Sequence, residues 1–190
     1  MSSLALSNKD DYPAAAAKHL DDARALLDAQ RLDGAGYLAG YVVECSLRTV
    51  IMVGLLAREA EQTAAEQMAS NERRENTRAN LESELRPGSA NMKRFLGKAA
   101  RDVRALARDH DLDALVDATT GYKEVLTSYV HGYAPAISKG KRPFGIKIKF
   151  TDIRYRAEGA VTDGEKWVEE AEVLYNSTVG LMIRDGLIQP

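Results

Sequence analysis

Between Leu38 and Leu55 the chain carries Leu38, Tyr41, Val42, Cys45, Leu47, Val50, Ile51 and Leu55, which on a 3.6-residue helix cover most of the circumference. A helix that is apolar all round has no solvated face, so other elements must enclose it. That requirement selects a layered helical fold and makes this segment its central helix. With 190 residues, a single core can remove roughly 70% of the unfolded chain's surface from water, so one domain, 1–190, is expected without disulfides or a structural metal.

Candidate enclosing helices are legible on both sides. Asp11 offers a cap, Pro13 sits where a missing N–H costs nothing, and Ala16, Leu20, Ala23 and Leu27 form one apolar stripe, predicting a first helix that ends near Asp33-Gly34. A turn that short makes the first two helices an antiparallel pair. Ser89 opens a helix through Met92, Leu96, Ala99, Val103 and Leu106. Shorter helical segments follow at Leu112 to Ala118 and Tyr122 to His131. The last helix starts at Thr162 or Asp163, where Thr162-Asp163-Gly164-Glu165 fits a capping box, and runs through Trp167, Ala171, Leu174, Thr178 and Leu181 to a stop at Gly186.

Two stretches break the pattern. Residues 58–88 lose their bulky apolar side chains to Glu and Arg and read as a polar helical insert. In residues 134–160, Gly140, Pro143 and Gly145 disfavour helix while Ile146, Ile148 and Phe150 alternate with Lys147, Lys149 and Thr151, predicting a short extended ribbon before the last helix. The fold class is therefore all-α: an antiparallel helical bundle with a polar insert and a basic extended excursion.

Charge and composition narrow the function. A formal net charge of −2 gives no global attraction to nucleic acid or anionic lipid, so such binding needs a local patch. The lone Cys45 excludes an internal disulfide and a multi-thiolate zinc site, and fits a reducing, cytoplasmic setting; it reads as a small core residue. The longest apolar run, Val50 to Ala57, is too short to cross a bilayer, so no membrane association is expected. His19, His110 and His131 are far apart in sequence, and neither a metal nor another cofactor is expected. Phosphate-binding Gly loops, G-x-S-x-G and H-E-x-x-H are absent.

Glu44 and Arg48 stand four residues apart in the favourable order for a helical ion pair, on an otherwise apolar surface, and read as a structural polar pair rather than a catalytic carboxylate with its partner. Lys139, Lys141, Arg142, Lys147, Lys149, Arg154 and Arg156 face a single acidic residue, Asp152, across 139–156, with Phe144, Phe150 and Tyr155 among them. Basic side chains interleaved with aromatics suit an RNA backbone and unstacked bases. Lysines on an exposed strand also guard against edge pairing, and Arg154 and Arg156 could instead bind carboxylates of the bundle.

The run Ala35-Gly36-Tyr37-Leu38-Ala39-Gly40-Tyr41-Val42-Val43-Glu44-Cys45-Ser46-Leu47-Arg48, with His19, Ala23 and Leu26 on the preceding helix, resembles the first helix pair of the HEPN family. Asp152-Ile153-Arg154-Tyr155-Arg156, ahead of a final helix carrying Trp167, resembles that family's arginine-tyrosine segment. The resemblance implies a helical bundle that dimerises, acts in bacterial toxin-antitoxin or phage-defence systems, and is often a metal-independent endoribonuclease; a nucleotidyltransferase-like or other antitoxin is the partner it suggests. Active members carry an Arg, four to six residues and a His. Arg104-Ala105-Leu106-Ala107-Arg108-Asp109-His110 matches, which would make Arg104 and His110 the catalytic pair. A six-residue step turns them about 240° apart on a continuous helix, so they converge only if the helix breaks between them. His110-Asp111-Leu112 reads equally as the cap and start of the next helix. The alternative is a catalytically silent HEPN module binding RNA, a nucleotide or a protein; a third is an interaction protein that uses its insert, Glu59 to Arg86.

Overall fold

The structure is a computed structural model and describes residues 11–67, 101–103, 105, 110–134, 144, 150–155 and 159–188. Its elements are α1 (Tyr12–Asp28), α2 (Leu32–Gln67), α3 (Leu112–Thr120), α4 (Lys123–Tyr129), a 3₁₀ helix (Phe150–Tyr155) and α5 (Gly164–Tyr175). A π-helical turn (Asn176–Gly180) and α6 (Leu181–Arg184) continue α5. Residues 101–103 and 105 are also helical. Among the described residues there is no strand.

The central helix is α2, and every residue from 42 to 54 is buried, so no face of it meets water over more than three turns. It packs against α1, α3, α4, the 3₁₀ helix and α5. By length and apolarity, Leu32–Glu59 could also cross a bilayer, contrary to the expectation drawn from its longest apolar run; 83% of its most apolar window is buried inside the bundle. Two glycines set how closely its neighbours approach. A Cβ on Gly40 would stand within the Phe150 ring, and one on Gly54 would lie 2.5 Å from the Tyr122 ring.

Helix α1 presents Ala16, Leu20 and Ala23 to the core, with Leu27 partly buried at the end of the stripe. The pair α1 and α2 is antiparallel: Tyr12 at the start of α1 reaches Arg48, and Leu26 near its end packs against Gly34. The turn is not where the Asp33-Gly34 dipeptide predicts. Helix α1 ends at Asp28 in a Schellman arrangement, with Gln30 in the left-handed region (φ 58°), Gln30 N–H on Leu27 C=O at 2.9 Å and Arg31 N–H on Leu26 C=O at 2.8 Å. Asp33 lies in the first turn of α2, where its carboxylate accepts the backbone N–H groups of Gly159 (2.8 Å) and Val161 (2.7 Å). A residue that reads as a local turn former holds instead a segment more than a hundred positions away.

The end of the predicted ribbon is also different. Phe150 and Thr151 lie in the 3₁₀ helix, because Phe150 turns fully into the space left by Gly40 and an extended strand would carry it past. Lys147 and Lys149, with the rest of 145–149, lie outside the described residues. So do Leu96, the helix start at Ser89 and the insert from residue 68 onward. Phe144 is anchored to α5, its ring stacked on Trp167 at 4.6 Å and its N–H on Glu170 Oε2 at 3.1 Å. Helix α5 is capped by Asp163, which accepts from Lys166 N–H, rather than by Thr162 in a capping box. Of the predicted core, Leu20, Val42, Cys45, Val103, Trp167 and Leu174 are buried, while Leu27 and Leu38 are only partly so.

Candidate functional site

Tyr37, Tyr41, Glu44 and Arg48 recur at steps of four, three and four and therefore share one stripe of α2. Three other segments converge on that stripe. Helix α1 brings Tyr12 and His19, the turn ahead of α3 brings His110, and the 3₁₀ helix brings Phe150 and Arg154.

Glu44 is the junction. It is 4% exposed, and its two carboxylate oxygens serve different partners: Oε1 accepts from Arg48 Nε (2.9 Å) and Nη2 (2.5 Å), while Oε2 lies 2.7 Å from His110 Nδ1. Arg48, 9% exposed, also donates to the Tyr12 hydroxyl at 3.4 Å and sets its guanidinium 5.3 Å from that ring's centre. Burial works against the Arg48 charge, but Glu44 and Tyr12 outweigh it and hold the guanidinium above its ordinary value.

His110 is positioned by a break in the chain. Its φ is 53°, a left-handed conformation uncommon for a residue with a Cβ, and the next residue, Asp111, caps α3 by accepting Ala114 N–H at 3.1 Å. The turn aims the imidazole back across α2, while 41% of the side chain stays exposed. Among the described residues Nε2 has no hydrogen-bond partner, so a half-exposed imidazole is tied at one nitrogen and open at the other. Holding a non-glycine residue at positive φ costs about 1–3 kcal/mol, a strain that tends to persist where surrounding contacts require one orientation.

Aromatic rings frame the group. The Tyr41 ring centre lies 5.4 Å from His19, 5.1 Å from Tyr37, 5.8 Å from His110 and 5.1 Å from Phe150. Burial first, then the Tyr37 hydroxyl and Glu44, push the Tyr41 phenol well above its ordinary value, with Arg154 pulling the other way. The Tyr41 hydroxyl lies 3.2 Å from that of Tyr37. Arg154, whose charge is favoured by the Tyr37 and Tyr41 hydroxyls, carries its guanidinium 4.5 Å from the ring centre of Tyr155, and Tyr155 is 76% exposed. A cation and a free aromatic face thus stand on the same 3₁₀ helix as Phe150, whose ring is 6.1 Å from His110.

The sequence-derived site residues divide accordingly. Glu44, Arg48, His110 and Arg154 come together around Tyr37 and Tyr41, with Tyr155 at the edge. Arg104, Lys141, Arg142, Lys147, Lys149 and Arg156 lie outside the described residues. The sequence sets Glu44 and Arg48 apart from His110, places Phe150 among the aromatics of the basic stretch rather than beside His110, and gives Tyr12 no role. The four-three-four stripe on α2 was the available signal. Cys45, the neighbour of Glu44 in α2, is buried with its thiol pushed up to about 12 by burial, consistent with an inert core role. Among the described residues no three His, Cys, Asp or Glu side chains gather as metal ligands would.

His19 makes this region sensitive to acid. Burial, then Lys18, lower its pKa below 6.5 against the opposing pull of Asp22 and Glu44, and its buried Nδ1 has no partner among the described residues. Below pH 6.5 the unfolded chain takes up a proton at His19 that the folded chain resists. The contribution is fully present above that pH and is lost as pH falls through the depressed folded value. The urea midpoint is expected to drop more between pH 7.5 and pH 5 in the parent than in His19→Gln; parallel pH profiles would show that His19 is not linked to folding.

In comparisons with protein-family models, with curated proteins and with solved structures, nothing matches this chain.

Proposed function

We propose that the chain is a HEPN-like, metal-independent endoribonuclease of a bacterial defence or toxin-antitoxin setting, working in the cytoplasm as a homodimer. One observation carries the reading: a half-exposed histidine, His110, is held at Nδ1 by a buried carboxylate while no described residue bonds its Nε2. An imidazole fixed in this way is suited to act as a general acid and base. Nε2 would take the proton of an RNA 2′-hydroxyl as that oxygen attacks phosphorus. It would then return the proton to the 5′-oxygen as the P–O5′ bond breaks, leaving a 2′,3′-cyclic phosphate and a 5′-hydroxyl. Arg154 supplies positive charge beside the site and Tyr155 a free face for an unstacked base. Arg104 is assigned the charge of the phosphorane-like transition state, and Lys141, Arg142, Lys147, Lys149 and Arg156 the flanking phosphates.

The test uses single-stranded RNA of mixed sequence and the full chain. Cleavage is expected to persist in EDTA, to yield cyclic phosphate ends, and to fall by about 10²–10⁴-fold in His110→Ala with the fold retained. RNA bound but never cut would favour the silent module instead. Cleavage lost in EDTA, or unchanged in His110→Ala, would end the assignment.

A further inference from the structure

We propose that Arg48 is a positioning residue of this site: by occupying one oxygen of Glu44 it reserves the other for His110 and so decides which imidazole nitrogen is presented to substrate. The proposal rests on the ribonuclease reading for its kinetic consequence, and on geometry alone for its effect on His110.

A carboxylate held by a single partner can rotate and exchange its oxygens. Here the guanidinium places two N–H groups, Nε at 2.9 Å and Nη2 at 2.5 Å, on the same oxygen, Oε1. Because the fork is rigid and planar, it fixes the orientation of the carboxylate as well as supplying the counter-charge for a 4% exposed anion. The second oxygen, Oε2, then points at His110 Nδ1, 2.7 Å away. An ionised carboxylate only accepts, so Nδ1 must donate, and the neutral ring is the Nδ1–H tautomer with its lone pair on Nε2. The guanidinium is itself braced by Tyr12, which Asp11 places at the start of α1 by capping that helix. The line Tyr12, Arg48, Glu44, His110 therefore links the packing of the first helix pair to the imidazole. Arg48 is 9% exposed and separated from His110 by Glu44, so it acts through the carboxylate and not on bound RNA.

Arg48→Met and Arg48→Lys, with the ¹⁵N spectrum of the His110 ring recorded without RNA, test this. The parent is expected to show the Nδ1–H tautomer. Arg48→Met should show mixed tautomers and a kcat lowered about a hundredfold at unchanged KM, since small misplacement of an acid–base group costs on that order. Arg48→Lys keeps the charge and one donor but not the fork, and should lie between the two; it also keeps the test readable if Arg48→Met does not fold. An unchanged ring spectrum in a folded variant, or a loss confined to KM, would overturn the proposal. If the parent cuts no RNA, the ribonuclease reading falls while the ring spectrum still decides whether Arg48 sets the tautomer.

Discussion

Glu44→Ala is expected to destabilise the bundle by about 3–5 kcal/mol, the usual cost of removing one member of a buried ion pair. The magnitude follows from where the pair sits. Glu44 and Arg48 are 4% and 9% exposed on the central helix, so removing the carboxylate leaves a buried guanidinium without its bidentate counter-charge. An exposed pair at the same spacing, such as Lys18 and Asp22, is screened by water and contributes far less. Urea unfolding followed by circular dichroism measures the loss. The double variant Glu44→Leu/Arg48→Leu separates charge from packing, because replacing both members by apolar groups is often near neutral and should recover most of the deficit. A loss below about 1 kcal/mol in Glu44→Ala would mean that water or another group satisfies Arg48 and that the pair is not buried in the sense argued.

Gly40→Ala is expected to cost about 1–3 kcal/mol and to disturb the candidate site from behind. Alanine is normally the better helix residue by about 1 kcal/mol, so the expected sign is opposite to intrinsic propensity. Its Cβ would fall within the ring of Phe150, which is 2% exposed and has nowhere to withdraw. The 3₁₀ helix must then move away from α2. With it go the Phe150 edge against His110 and the Arg154–Tyr155 pair. Phe150→Leu opens space, so the penalty of Gly40→Ala should shrink in that background, and a double-mutant cycle on unfolding free energies reads the coupling. Simple additivity would show that Phe150 and Gly40 do not meet.

The helix pair and its central member were legible because apolar positions on a helix repeat with the helical period, and because residues apolar on every side have only one stable location. Asp11 as the first cap, Asp111 as the start of α3 and the end of the last helix near Gly186 were readable from local chemistry for the same reason. Local signals misled where a residue's partner lay far along the chain. Asp33 reads as a turn former, yet its carboxylate is spent on Gly159 and Val161, while the real turn uses Gln30 in a conformation that favours glycine. Phe150 reads as one step of an alternating strand, yet a glycine more than a hundred residues earlier draws it into a 3₁₀ turn.

The site divides in the same way. From the sequence alone come Glu44 and Arg48 as a helical pair, His110 as a candidate acid–base group and Arg154-Tyr155 as a basic aromatic segment, since each depends on residue type and short spacing. Only the tertiary structure decided that one carboxylate serves both Arg48 and His110. Which oxygen faces which partner depends on a left-handed turn at His110 and on the crossing of segments 66 residues apart, and no periodicity along the chain encodes that meeting.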